Sequence, residues 1–93
     1  MVKYAVIKQY NVSRKVFGPF GSLMDAKDFI ARDVEENIDY FKKIYPDVKD
    51  YSTRKTFSGD VELTFTLNRP ESVTWEVQKM MQPNMGDMYM SLY

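Results

Sequence analysis

One long amphipathic stripe limits what this chain can become. In "SLMDAKDFIARDVEENIDYFKKIYP" the residues Leu23, Ala26, Ile30, Val34, Ile38, Phe41 and Tyr45 recur at helical spacing and form a single apolar face. Ser22 is a good N-cap, and Asp25 stands at the third helical position, a capping box with Asp in place of the usual Glu. Acids gather early, and Lys42 and Lys43 lie in the last turns, as the helix dipole favours. Asp28–Arg32 and Asp39–Lys43 are i,i+4 pairs in the favourable order. Pro46 disfavours helix at Tyr45, so the helix is predicted to stop around Ile44.

The segments on either side read as strands. "VKYAVIKQY" (Val2–Tyr10) is rich in β-branched and aromatic residues, with Val2, Tyr4 and Val6 on one face and Ala5 and Ile7 on the other. Apolar residues on both faces suggest an interior strand. "NVSR" has turn composition, "KVF" (Lys15–Phe17) returns as a short second strand, and "GPFG" is expected to break the pairing. Beyond the helix, segments 51–57, 60–68 and 72–79 read as a three-stranded antiparallel meander. Val61, Leu63, Phe65 and Leu67 face in on the second of these, and Val73, Trp75 and Val77 on the third. The order is β-β-α-β-β-β. The expected fold is α+β: a single long helix packed on one face of a four- to five-stranded, mainly antiparallel sheet, with the other face partly wet.

"RKVFGPFGSLMDAKDFI" resembles the strand–GPF–capped-helix–Ala passage of bacterial SPOR domains, which bind peptidoglycan. The likeness covers about 17 of 93 residues. It implies the local geometry of a strand–turn–helix junction and nothing about function.

Ninety-three residues make one domain. Residues 1–80 are expected to be that domain, and 81–93 a Met/Tyr-rich tail that is either a docking segment or disordered. Fourteen aromatics supply much of the core. Formal charge is zero, but Lys3, Lys8, Arg14 and Lys15 stand in the first twenty residues without an acid, and six acids against two bases follow in the next twenty. The chain is neither a general polyanion binder nor a nucleic-acid mimic. Cysteine is absent, which removes disulfides, thiolate nucleophiles and thiolate metal sites. Histidine is absent too, and with it the commonest general base and metal ligand. "MVKYAVIKQY" is too short and too charged for a signal peptide, and no run approaches a membrane span. A cytoplasmic protein without membrane contact is expected.

No constellation names a reaction. Asp25, Asp28, Asp33, Glu35, Glu36 and Asp39 crowd one helix, but their spacing fans them over its solvent side, whereas acid–base work needs two carboxylates in one cleft. "GPFG" is a turn: a strand precedes it where a nucleic-acid clamp needs a helix, and no Gly-Lys-Ser/Thr follows as in a phosphate loop. Trp75, on the inward face of a regular strand, is read as core. No catalytic residue, cofactor or metal is expected, and the chain is read as not an enzyme.

Five of the seven methionines fall in "MMQPNMGDMYMSLY". Asn84 can cap a short helix with Asp87 at its third position, placing Met85, Met88, Tyr89 and Leu92 on one stripe. As a strand, Met88, Met90 and Leu92 alternate with Tyr89, Ser91 and Tyr93. Gly86 costs about 1 kcal/mol against Ala, so so short a helix needs a surface to dock on. Met81, Met85, Met88, Tyr89, Met90 and Leu92 are therefore the expected partner contacts, because methionine suits surfaces that re-pack.

The functional expectation is a small non-enzymatic protein-binding module, an adaptor, inhibitor or modulator of the kind phages and mobile elements carry, meeting a protein partner or a second copy of itself through that segment. The alternative is weak nucleic-acid binding by Lys3, Lys8, Tyr10, Arg14 and Lys15 of the N-terminal hairpin, where bases and aromatics interleave.

Overall fold

The computed structural model describes residues 2–46, 48, 50–66 and 71–81. They form β1 (Val2–Tyr10), β2 (Ser13–Phe20), α1 (Leu23–Ile44), β3 (Asp50–Lys55), β4 (Val61–Thr66) and β5 (Glu71–Met81). The strands make one sheet in the order β2-β1-β5-β4-β3, every neighbouring pair antiparallel. One helix lies against it, so the α+β class, the element order and the β3-β4-β5 meander are as the sequence implies.

Alternation decides which face of the sheet is covered. Val6 on β1, Val61, Leu63 and Phe65 on β4, and Val73 and Trp75 on β5 cluster with Ala26, Ile30, Val34, Ile38 and Phe41 of α1. Tyr4, Tyr10, Phe17, Phe20, Phe29, Val48 and Val77 pack around that cluster. Each large apolar side chain fully removed from water contributes roughly 1.5–3 kcal/mol. Trp75, Phe65, Ile30, Leu63, Val6 and Val73 are all below 2% exposed. Those six residues alone account for about 10 kcal/mol or more of hydrophobic driving force, offset by the entropy of ordering the chain.

Rings close both ends of the core. Phe41 stacks on Phe65 with centroids 4.4 Å apart and meets Tyr10 edge-on at 5.5 Å. Phe29 of α1 packs on Phe17 and Phe20 of β2, at 4.8 and 5.3 Å. Aromatic pairs in such geometries add about 0.5–1.5 kcal/mol beyond the area they bury.

The helix starts and stops where its caps dictate. The backbone of Ser22 is extended, and its side chain accepts from the Asp25 N–H at 3.1 Å. At the other end Tyr45 N–H donates to Phe41 O at 2.8 Å, and Pro46 follows. The 22 residues span about 33 Å, while five strands are about 19 Å wide. The helix leaves edge strand β2 and delivers the chain to the opposite edge strand β3, crossing the whole sheet on the way.

One local expectation is overturned. "GPFG" does not end the pairing. β2 runs on to Phe20, and the register shifts between Val6↔Phe17 and Tyr4↔Phe20. The Gly18–Pro19 bond within this bulge is cis, and Gly18 has φ +126°. A Cβ on Gly18 would lie 3.0 Å from Tyr4 O, so the close approach of the two strands there needs glycine. Pro19 lies on the outermost strand, where the missing N–H costs no ladder bond. The strand–turn–capped-helix geometry implied by the SPOR resemblance is otherwise present.

Candidate functional site: a groove between the helix and an edge strand

The two edges of the sheet differ. β2 is blunted by its bulge and proline, and its Phe17 and Phe20 are engaged by Phe29 of α1. β3 has neither device. All six of its residues, "DYSTRK", are exposed, and among the described residues no strand pairs with its outer side.

Between β3 and α1 lies a cavity of about 500 Å³, within the roughly 300–1,000 Å³ common for ligand sites. Its floor is aliphatic: Ile30, Val34 and Ile38 from the helix and Val61 from β4. Lys27, Asp28, Ala31 and Glu35 form the helical wall, and Tyr51, Thr53, Lys55 and Thr56 the strand wall. Small side chains, Ala31 and Thr53, stand on its two walls. Rim charge is mixed, with Lys27 and Lys55 against Asp28 and Glu35.

The turn after β3 closes one end. Thr56 N–H donates to Asp60 O, Gly59 N–H to Thr56 O, and Asp60 N–H to Thr56 Oγ1, at 3.0, 3.1 and 3.2 Å. Gly59 has φ +99°, and a Cβ there would sit 3.2 Å from both Lys27 Cε and Val77 Cγ2. Asp60 Oδ1 also accepts from the Val77 N–H at 2.8 Å, where β5 runs past the last paired residue of β4. That bond satisfies a donor the ladder leaves over.

The residues expected to bind nucleic acid do not share a surface. In register, Lys3 and Arg14 fall on the helix-free face, and Lys8, Tyr10 and Lys15 on the helix side. Tyr10 packs against Phe41. Lys8 Nζ lies 2.8 Å from Asp33 Oδ2 and 5.6 Å from the centroid of Trp75. The same Asp33 oxygen accepts from Trp75 Nε1 at 2.9 Å.

Asp33 thus departs from the expected solvent fan of acids: it is half-buried and faces the sheet. An inward lysine on β1 and an indole N–H on β5 both need an acceptor, and this helix position lies above both strands. Trp75 is core, as expected. Among the described residues no three acids converge as metal ligands, and no helix is long and apolar enough to cross a membrane.

Of the expected partner contacts, Met81 is the last residue of β5, in register with Val2. Met85, Met88, Tyr89, Met90 and Leu92 lie outside the described residues. The groove itself was not read from sequence. The only signal was the segment 51–57, the weakest of the strand segments, whose inward positions Tyr51, Thr53 and Lys55 line the groove and are exposed.

Fold and site together define an α+β domain in which, among the described residues, one sheet edge is unpaired beside a groove with an aliphatic floor. Comparison with protein-family models, with curated proteins and with solved structures finds no match to this chain.

Proposed function

We propose that this chain is a small non-enzymatic protein-binding module that takes an extended segment of a partner along β3. Alternate side chains of that segment enter the α1–β3 groove. The observation that carries the reading is the adjacency of an edge strand whose six residues are all exposed and a groove with an aliphatic floor. Unpaired backbone groups on such an edge supply affinity for any extended chain, and the groove selects the side chains. The preferred ligand has medium-sized apolar residues at every second position and flanking charges of both signs.

In this reading the protein is an adaptor, inhibitor or modulator in the cytoplasm, of the kind phages and mobile elements carry. It assigns the contact to the groove in place of the Met-rich segment. Nucleic-acid binding is less well supported, since Lys8 and Tyr10 are engaged inside the fold.

Peptides selected from a displayed random library against the full chain test the proposal. Ala31→Arg and Thr53→Arg add bulk at two exposed wall positions without entering the core. Each should weaken the selected peptides about tenfold or more, equivalent to about 1.4 kcal/mol. Charge reversal at Arg14 and Lys15 should leave them unaffected. Equal affinity for parent and both groove variants overturns the reading.

A further inference from the structure

Edge strand β3 carries its own complement. Tyr51, Thr53 and Lys55 line the groove on the helix side, so Asp50, Ser52 and Arg54 point to the other face. Asp50 opens the strand, and Arg54 and Lys55 end it. Among the described residues, neither Asp50 nor Arg54 makes an ion pair within its own chain.

The ladder shows which backbone groups lack a partner. Thr56 N–H donates to Asp60 O, which makes that position a bonded pair of the β3–β4 hairpin. Bonded and non-bonded pairs alternate along antiparallel strands. Lys55↔Val61, Thr53↔Leu63 and Tyr51↔Phe65 are therefore non-bonded pairs. The N–H and C=O groups of Tyr51, Thr53 and Lys55 point away from β4, and no described strand meets them.

A second copy of this chain supplies both the charges and the backbone groups. Two copies joined edge to edge by a two-fold axis normal to the sheet run antiparallel, with both helices on one side. Residues of the same face then lie opposite each other, so the axis passes through a residue position, centrally Ser52 or Thr53. With the axis at Ser52, Asp50 of each copy faces Arg54 of the other, and Tyr51 exchanges backbone bonds with Thr53. With the axis at Thr53, Tyr51 exchanges bonds with Lys55, and Asp50 and Arg54 become diagonal neighbours within an arginine's reach. Both arrangements set the acidic start of one strand against the basic end of the other. A parallel pairing would set Asp50 beside Asp50 and Lys55 beside Lys55, like against like.

We propose that β3 pairs antiparallel with β3 of a second copy, joining the two sheets and bringing Tyr51 of each copy over the groove wall of the other. The proposal rests on the reading of β3 as a docking edge and names its resident occupant. A foreign segment must displace the second copy, so partner capture and self-association compete. Two six-residue strands bury little surface, so the dimer is weak and grows in with concentration.

Sedimentation equilibrium of the full chain over a concentration series tests it. The parent should pass from monomer to dimer. Asp50→Arg and Arg54→Asp should each weaken association about tenfold or more, since each sets like charges against one another twice. An equimolar mixture of the two variants should regain the parent's association, because each chain then meets its opposite in the other; a misfolded variant could not do this. A mass independent of concentration, parent-like association of either variant alone, or a mixture no stronger than its components overturns the proposal. The two readings fail separately, since peptide capture is read at Ala31 on the helical wall. A monomer that binds the selected peptides refutes the dimer alone, and a dimer that rescues by charge but captures no peptide refutes foreign capture alone.

Discussion

Replacing Asp33 with alanine tests whether one carboxylate ties the helix to both central strands. Its Oδ2 accepts from Trp75 Nε1 at 2.9 Å and sits 2.8 Å from Lys8 Nζ. Trp75 is 1% exposed, so removing the acceptor leaves its buried indole N–H without its partner. An unmet buried donor costs about 1–3 kcal/mol. The Lys8 and Asp33 side chains are 20% and 16% exposed, so water still reaches the lysine once it is unpaired. That pair contributes about 1 kcal/mol, the top of the range for accessible ion pairs. The expected cost of Asp33→Ala is therefore about 2–4 kcal/mol, a fall in Tm of roughly 10–25 °C for a domain of this size.

Asp33→Asn keeps an acceptor for the indole and removes only the charge, so it should cost about 1 kcal/mol. A cycle with Lys8→Met isolates the ion pair and should return a coupling of about 1 kcal/mol. Urea unfolding reads all of this, followed by the fluorescence of Trp75, the single tryptophan, with slopes compared between variants. A loss below about 0.5 kcal/mol for Asp33→Ala, or equal losses for Ala and Asn, would refute the reasoning.

Gly18→Ala should destabilise by about 1–3 kcal/mol, because φ +126° and the 3.0 Å approach of Tyr4 O both resist a Cβ; a thermal melt checks it. Ser22→Ala removes the acceptor of the Asp25 N–H and should cost about 1 kcal/mol in urea, with Ser22→Asp restoring most of it. Phe57→Ser, at a turn residue with no shielding from solvent, should shift stability by less than about 0.5 kcal/mol in the same assay.

What could be read from the sequence was whatever depends on residues close together in the chain. The stripe from Ala26 to Phe41, the Ser22 cap and the stop before Pro46 are local, and each appears where the pattern put it. So do Val61, Leu63 and Phe65 of β4 and Val73, Trp75 and Val77 of β5, while Leu67 lies outside the described residues. Gly18 and Pro19 misled because breakers in isolation are also the residues of a bulge. Only the Tyr4 carbonyl across the strand pair shows which role applies. Asp33 looked like one more solvated acid, and its inward role depends on Lys8 and Trp75, far away in sequence. The groove is less legible still: it is a gap between α1 and β3, and no residue pattern encodes a gap.

β1 and β5 lie side by side at the middle of the sheet, with Val6 and Val77 in register about seventy residues apart. The two hairpins and the helix can form early, but none of them owns a finished core. Each keeps an apolar side bare until β5 slots between β1 and β4. At about 5–20 residues per second of synthesis, β1 waits roughly 4–14 s for that partner to be made. Assembly is therefore expected to be late and all-or-none, slower than a helical chain of the same length. A chain stopped before Glu71 would leave no smaller stable domain, only three pieces whose central joint was never supplied.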